Sequence, residues 1–206
     1  NIKIYLAGNY YPSGWQKDLV ENIFHITYNK LPMEQGIVVN NISTIYSIYE
    51  MLKYQVPLTE RIITIIGDGV KKETNVKVKI GSNLSEIIPL IGGYKKDVSN
   101  HLFITGGPLN GTSHPDDDII VTKDLTSVLV LENIDEKVYP CIKCGKCIKN
   151  CPVKLKPIFI TNNINNKEKL KKLHPEKCIK CGLCSYICPS RIELKEIVKK
   201  ARDICE

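Results

Sequence analysis

Residues 141–152 read Cys-Ile-Lys-Cys-Gly-Lys-Cys-Ile-Lys-Asn-Cys-Pro, and residues 178–189 read Cys-Ile-Lys-Cys-Gly-Leu-Cys-Ser-Tyr-Ile-Cys-Pro. Each is a complete C-x₂-C-x₂-C-x₃-C-P run, and the second repeats the first 37 positions later. Three cysteines at intervals of three lie on a tight loop that can wrap three corners of an iron–sulfur cubane. The fourth is expected at the start of a helix that turns away, so that it reaches the other cluster. One [4Fe–4S] cluster is therefore expected on Cys141, Cys144, Cys147 and Cys188, and a second on Cys178, Cys181, Cys184 and Cys151. Gly145 and Gly182 allow the backbone close to the sulfides, where amide N–H groups can donate to them. Pro152 and Pro189 direct the chain after the fourth ligand, as proline suits a first helical turn. Structural zinc is the alternative, but it draws on separated C-x₂₋₄-C pairs, and a triple run leaves one thiol awkwardly placed. The ninth cysteine, Cys205, lies at the edge of the stripe Leu194, Ile197, Val198, Ala201, Ile204. That stripe reads as a terminal amphipathic helix opened by a Ser190–Glu193 capping box, with Cys205 as a packing thiol.

Beyond these runs, nine cysteines without a secretory leader point to metal or redox chemistry rather than a disulfide framework. The 43% apolar content is that of a globular chain, which excludes wholesale disorder. The formal charge of +7 counts every thiol as neutral. Two oxidised clusters would contribute about −2 each, leaving roughly +3, so the basicity is largely a counter-charge and gives no case for nucleic acid. No stretch approaches the ~18 apolar residues of a membrane span. The chain opens inside an alternating pattern, Ile2, Ile4, Leu6, and we read it as the C-terminal part of a longer polypeptide.

The middle of the chain reads as a small α+β unit. Strands are expected at 62–67 and 75–80, split by Gly67-Asp68-Gly69, and again at 102–105 and 127–131. A short helix over 84–91 is entered through Gly81-Ser82-Asn83 and stopped by Gly92-Gly93. Gly106-Gly107-Pro108-Leu109-Asn110-Gly111 lacks the ending of a phosphate loop and reads as a turn. Asp116-Asp117-Asp118 reads as a solvated turn, and the four histidines carry no paired metal spacing. Between the cysteine runs, the asparagines at 162–166 suggest a turn and the lysines at 167–172 a short helix. Those lysines read as a solvated face, with a docking patch for an acidic electron carrier as the sharper alternative. The first 60 residues alternate a strand at 2–6, a helix at 16–24, a strand at 36–40 and a helix at 44–54, as in a piece of a larger α/β sheet.

The order Tyr11-Pro12-Ser13-Gly14, Gly36-Ile37-Val38-Val39-Asn40-Asn41, Pro57-Leu58-Thr59-Glu60-Arg61, Gly106-Gly107-Pro108 and then the two cysteine runs resembles the C subunit of the Rnf ion-pumping complex. A related layout belongs to the proline-reductase-associated electron-transfer protein. The resemblance implies three parts. Residues 1–60 would be the end of a flavin- and NADH-binding domain like the complex I flavoprotein. Residues 61–135 would be a β-grasp domain of the soluble-ligand-binding type, and 136–206 an α-helical 2[4Fe–4S] ferredoxin-type module. Val39-Asn40-Asn41-Ile42-Ser43-Thr44 is similar to a complex I segment lying against FMN, which makes Val39, Asn40, Asn41 and Thr44 the implied flavin contacts. Read without the family, Asn40-Asn41 is a turn or helix cap. Trp15-Gln16 stands where the family usually has Gly-Glu. The function implied is electron transfer as part of an oxidoreductase, between a flavin or NADH site in the longer protein and ferredoxin or other Rnf-type subunits. The fragment would not be catalytic alone. It would sit in the cytoplasm, held to the membrane's cytoplasmic face through partner subunits. A soluble carrier feeding a reductase such as proline reductase is the alternative.

Overall fold

The computed structural model describes residues 2–26, 28, 31–132 and 137–205. They fall into two compact units, Asn1–Leu58 and Thr59–Glu206. The boundary expected between 135 and 136 lies outside the described residues.

The first unit contains α1 (Gln16–Phe24), a 3₁₀ turn (Pro32–Gln35) and α2 (Ile42–Tyr54). Both helices match the apolar spacing of the sequence. Neither 2–6 nor 36–40 is a strand. A strand exists only where a neighbour completes its hydrogen-bond ladder. Ile2 and Leu6 are instead 97% exposed.

The second unit begins with a five-stranded sheet: β1 (Glu60–Ile66), β2 (Thr74–Lys79), β3 (His101–Thr105), β4 (Thr112–His114) and β5 (Ser127–Glu132). Their order is β2-β1-β5-β3-β4. The central pair β1–β5 is parallel, and the other pairs are antiparallel. Helix α3 (Leu84–Leu90) crosses between β2 and β3, its first turn capped by Asn83, whose Oδ1 accepts the Ser85 N–H at 3.1 Å. One face of β1 supplies Ile63 and Ile65, both fully buried against Leu84, Ile88, Phe103 and Val130. Ile62, on the opposite face, is exposed, as the period of two requires. Arg61 is buried as well. Its guanidinium donates to the carbonyls of Leu125, at 2.5 Å, and Lys123, so the charge is not left unsatisfied. The polar three-residue β4 had no readable signal in the sequence.

Five helices follow in the cysteine-bearing part of the chain: α4 (Lys146–Lys149), α5 (Pro157–Asn162), α6 (Lys167–Lys172), α7 (Leu183–Tyr186) and α8 (Leu194–Cys205). The duplication is structural as well as sequential. α4 and α7 begin 37 residues apart, and so do α5 and α8. α5, α6 and α8 share a small core of Ile160, Leu170, Val198 and Ala201, on which Cys178 and Cys205 pack. Among the described residues, no helix is long and apolar enough to cross a membrane.

Candidate metal centre

Each cysteine run forms a loop whose conformation is repeated residue for residue. Lys143 and Lys180 take left-handed backbone angles, φ 58° and 61°, followed by Gly145 and Gly182 at 71° and 80°. The loop turns back on its own first thiol. The Lys143 N–H donates to Cys141 Sγ and the Lys180 N–H to Cys178 Sγ, both at 3.4 Å. Such N–H donors stabilise thiolate charge and tune what the sulfur holds.

The position of the fourth cysteine differs from expectation. Gly145 and Gly182 are themselves the N-caps of α4 and α7, so the helices contain the third cysteines, Cys147 and Cys184. Cys151 and Cys188 come after the helix ends. The prolines that follow them lie in turns and start no helix; because proline disfavours the helical conformation in the residue before it, α4 and α7 end ahead of Cys151 and Cys188. Cys151 Sγ accepts instead from the Leu155 N–H at 3.3 Å.

A cavity of about 430 Å³ is lined by Cys141, Cys144, Cys147 and Cys188, with Ile142, Ile148, Ile158, Phe159 and Leu194 as apolar walls. The first three thiols come from one run and the fourth from the other. The remaining four also face one another. Burial pushes the thiols of Cys178, Cys181 and Cys184 up, and each also feels the nearby Cys151 sulfur. Cys184 is pushed up to about 12. Burial likewise raises Cys147, with Cys188 adding to the rise. Among the described residues no three His, Cys, Asp or Glu side chains close on a single point. The first quartet surrounds a space far wider than one ion with bonds of about 2.3 Å needs, and its all-thiol lining suits a cubane.

What brings the runs together was not readable from the spacing. Ser190 is buried and does not cap α8. Its hydroxyl donates to the Pro140 carbonyl at 2.9 Å, and its own carbonyl accepts the Tyr139 N–H at 3.0 Å. This two-point tie sets Cys141 beside Cys188. The capping box expected at Ser190–Glu193 is absent because Arg191, at φ 55°, turns the chain before α8 starts at Leu194. Ser185 does the capping from α7, its Oγ accepting the Lys195 N–H at 2.8 Å. Arg202 of α8 reaches back to the Cys178 carbonyl at 3.4 Å. The turn at 106–111 also meets the second run. A Cβ on Gly182 would lie 1.9 Å from the Leu109 carbonyl oxygen, so only glycine permits that approach.

In the first unit, Val39, Asn40, Asn41 and Thr44 lie together at the entrance to α2. Asn41 is its N-cap, with Oδ1 accepting the Ser43 N–H at 2.9 Å. Asn40 and Asn41 are exposed, Val39 and Thr44 half-buried. A small cavity in this unit, about 170 Å³ between residues 5–13 and α1, does not include them.

Two thiol quartets on a duplicated loop-and-helix frame define a ferredoxin-type domain, and the family model described as the 4Fe-4S dicluster domain matches residues 140–192. Over 169 residues, 80% of its length, the chain is 33% identical to the C subunit of the ion-translocating oxidoreductase complex of Rhodobacter capsulatus, of which it covers 32%. It is 32% identical over 73% of its length to the C subunit of the proton-translocating ferredoxin:NAD(+) oxidoreductase complex of Clostridium ljungdahlii, covering 34% of that protein. To the C subunit of the Na(+)-translocating ferredoxin:NAD(+) oxidoreductase complex of Acetobacterium woodii it is 31% identical over 77% of its length, covering 37%. The chain is a homologue of the Rnf complex C subunit and spans about a third of the length of the curated relatives it matches.

Proposed function

We propose that this chain is the iron–sulfur portion of an Rnf-type ferredoxin:NAD oxidoreductase, passing electrons one at a time through two [4Fe–4S] clusters. The observation that carries the reading is the exchange of the fourth thiol: Cys188 completes the cavity of the first run, and Cys151 faces the second. Cys141, Cys144, Cys147 and Cys188 would hold one cluster, and Cys178, Cys181, Cys184 and Cys151 the other. When bound, a [4Fe–4S] cluster accepts and releases a single electron without moving a proton. The chain contributes eight thiolates, the N–H groups of Lys143, Lys180 and Leu155 aimed at sulfur, and an apolar lining around the first quartet. No acid–base residue is required.

The mixed sheet, with a parallel central pair and one crossing helix, supports a β-grasp reading of 61–135. The four residues at the α2 entrance form an open surface that does not enclose a flavin ring, so no step of the proposal runs through one. The test is anaerobic purification with iron and sulfide analysis and EPR of cysteine variants. About eight irons per chain are expected. Cys141→Ser and Cys188→Ser should abolish the same reduced signal, and Cys178→Ser and Cys151→Ser the other. If Cys188→Ser removed the signal that Cys178→Ser removes, the exchange would be wrong.

A further inference from the structure

The two thiol quartets have matching ligand spacing but unequal surroundings. Cys141 and Cys144 are exposed, whereas their counterparts Cys178 and Cys181 are half-buried and buried. The second run is covered by the Leu109 turn at Gly182 and by the α5–α6–α8 core. The first opens outward between Ile142, 65% exposed, and Phe159, 49% exposed. The residue 37 positions after Phe159 is Glu196.

Charge follows the same division. Residues 137–167 contain seven lysines and no Asp or Glu. The equivalent window 37 positions on, 174–204, also has seven basic residues but offsets them with Glu176, Glu193, Glu196 and Asp203. Lys143 and Lys146 border the cavity, and Lys149 is exposed on α4. A small apolar centre ringed by charges of one sign is the make-up of a transient protein interface, where charge sets encounter and register.

We propose that the mouth of the first quartet, Ile142 and Phe159 framed by Lys143, Lys146 and Lys149, is a docking surface for the acidic face of a one-electron redox protein. This rests on the cluster-bearing reading of the first quartet. Docking there places the partner's redox centre against the exposed Cys141–Cys144 side, where the tunnelling path is shortest. The lysines supply attraction that the second run, with its interspersed carboxylates, does not.

The test uses the holoprotein with an acidic bacterial 2[4Fe–4S] ferredoxin as probe. A mouth variant combines Lys146→Glu and Lys149→Glu. A control variant makes the same charge change on α6, beside the second run: Lys171→Glu and Lys172→Glu. By calorimetric titration, the mouth variant should weaken Kd by roughly tenfold or more at low salt and by less than about threefold at 0.5 M, as screening of surface charge dictates. The control should stay within about twofold at low salt. Iron content and reduction by methyl viologen radical, a small cation, should not fall in either variant. Loss of iron or of viologen reduction in wild-type protein would overturn the cluster reading itself. With clusters intact, equal weakening by both variants, stronger weakening by the control, or no weakening by either would overturn the docking surface.

Discussion

Gly145 and Gly182 offer a matched pair for testing the contact between the sheet unit's loop and the second cysteine run. Both sit at positive φ, so alanine at either costs roughly 1–2 kcal/mol in backbone strain. At Gly145 nothing lies within 4 Å of the added Cβ. At Gly182 that atom would stand 1.9 Å from the Leu109 oxygen and 2.8 Å from its carbonyl carbon, both backbone atoms that cannot rotate away. To restore ordinary contact the loop must withdraw by roughly 1.5 Å, and overpacking of that kind costs about 1–3 kcal/mol more. For a chain of this size each kcal/mol moves Tm by about 2–4 °C. Gly182→Ala should therefore melt roughly 2–12 °C below Gly145→Ala, since both share the strain and only one has the clash. Anaerobic differential scanning calorimetry of both holoproteins at one scan rate gives the comparison. Iron content confirms that each retains its clusters. Equal melting temperatures would mean that the Leu109 turn does not rest on Gly182.

Two further outcomes follow from the site. Ser190→Ala removes the hydroxyl donated to Pro140 from a buried position, and should lower the unfolding free energy from urea titration by about 1–2 kcal/mol, with loss of the Cys141/Cys188 cluster signal before the other. In the apo-protein, burial raises Cys147, Cys178, Cys181 and Cys184 above the ordinary thiol value of 9.0. The folded state then keeps protons that the unfolded chain releases, so this stability is complete below pH 9 and is lost as pH climbs toward about 12. Urea midpoints of apo-protein should fall as pH rises from about 9 to about 11, less steeply in Cys184→Ala, and a flat profile in wild type would contradict the burial.

What was legible in the sequence had a local cause. The cysteine spacing is dictated by the loop that presents three thiols together. The helix over 16–24 and the strand with Val76 and Val78 follow from apolar periods of 3.6 and 2, and the strand over 62–66 from an unbroken β-branched run. The helix over 84–90 follows from Asn83 and the paired glycines. What was missed depends on partners distant in the chain. Residues 2–6 and 36–40 have the look of strands, but among the described residues no strand pairs with them. Pro157-Ile158-Phe159-Ile160 has the β-branched look of an extended segment, yet forms α5 because the repeat sets it against α8. Ser190 resembled a helix cap and is instead the clasp between the two runs. The approach of Leu109 to Gly182 joins residues 73 positions apart and leaves no trace in either local pattern.

Duplication alone would make the two quartets equivalent, with equal affinity for an electron. Their surroundings remove that equivalence in a definite direction. Both loops aim one amide at their first thiol at 3.4 Å, so this hydrogen bond does not separate them. Exposure does, because reduction adds negative charge, and water solvates that charge better at Cys141 and Cys144 than at Cys178 and Cys181. Lys143 and Lys146, which border the first cavity, act in the same sense. The first cluster should therefore have the higher potential, with electrons running downhill from the sheltered site to the exposed one. In an EPR-monitored redox titration, the signal abolished by Cys141→Ser should be the first to appear on reduction, and Lys146→Glu should shift its midpoint negatively while moving the other signal less. If the signal dependent on Cys178 appeared first, burial and surface charge would not be what distinguishes the two sites.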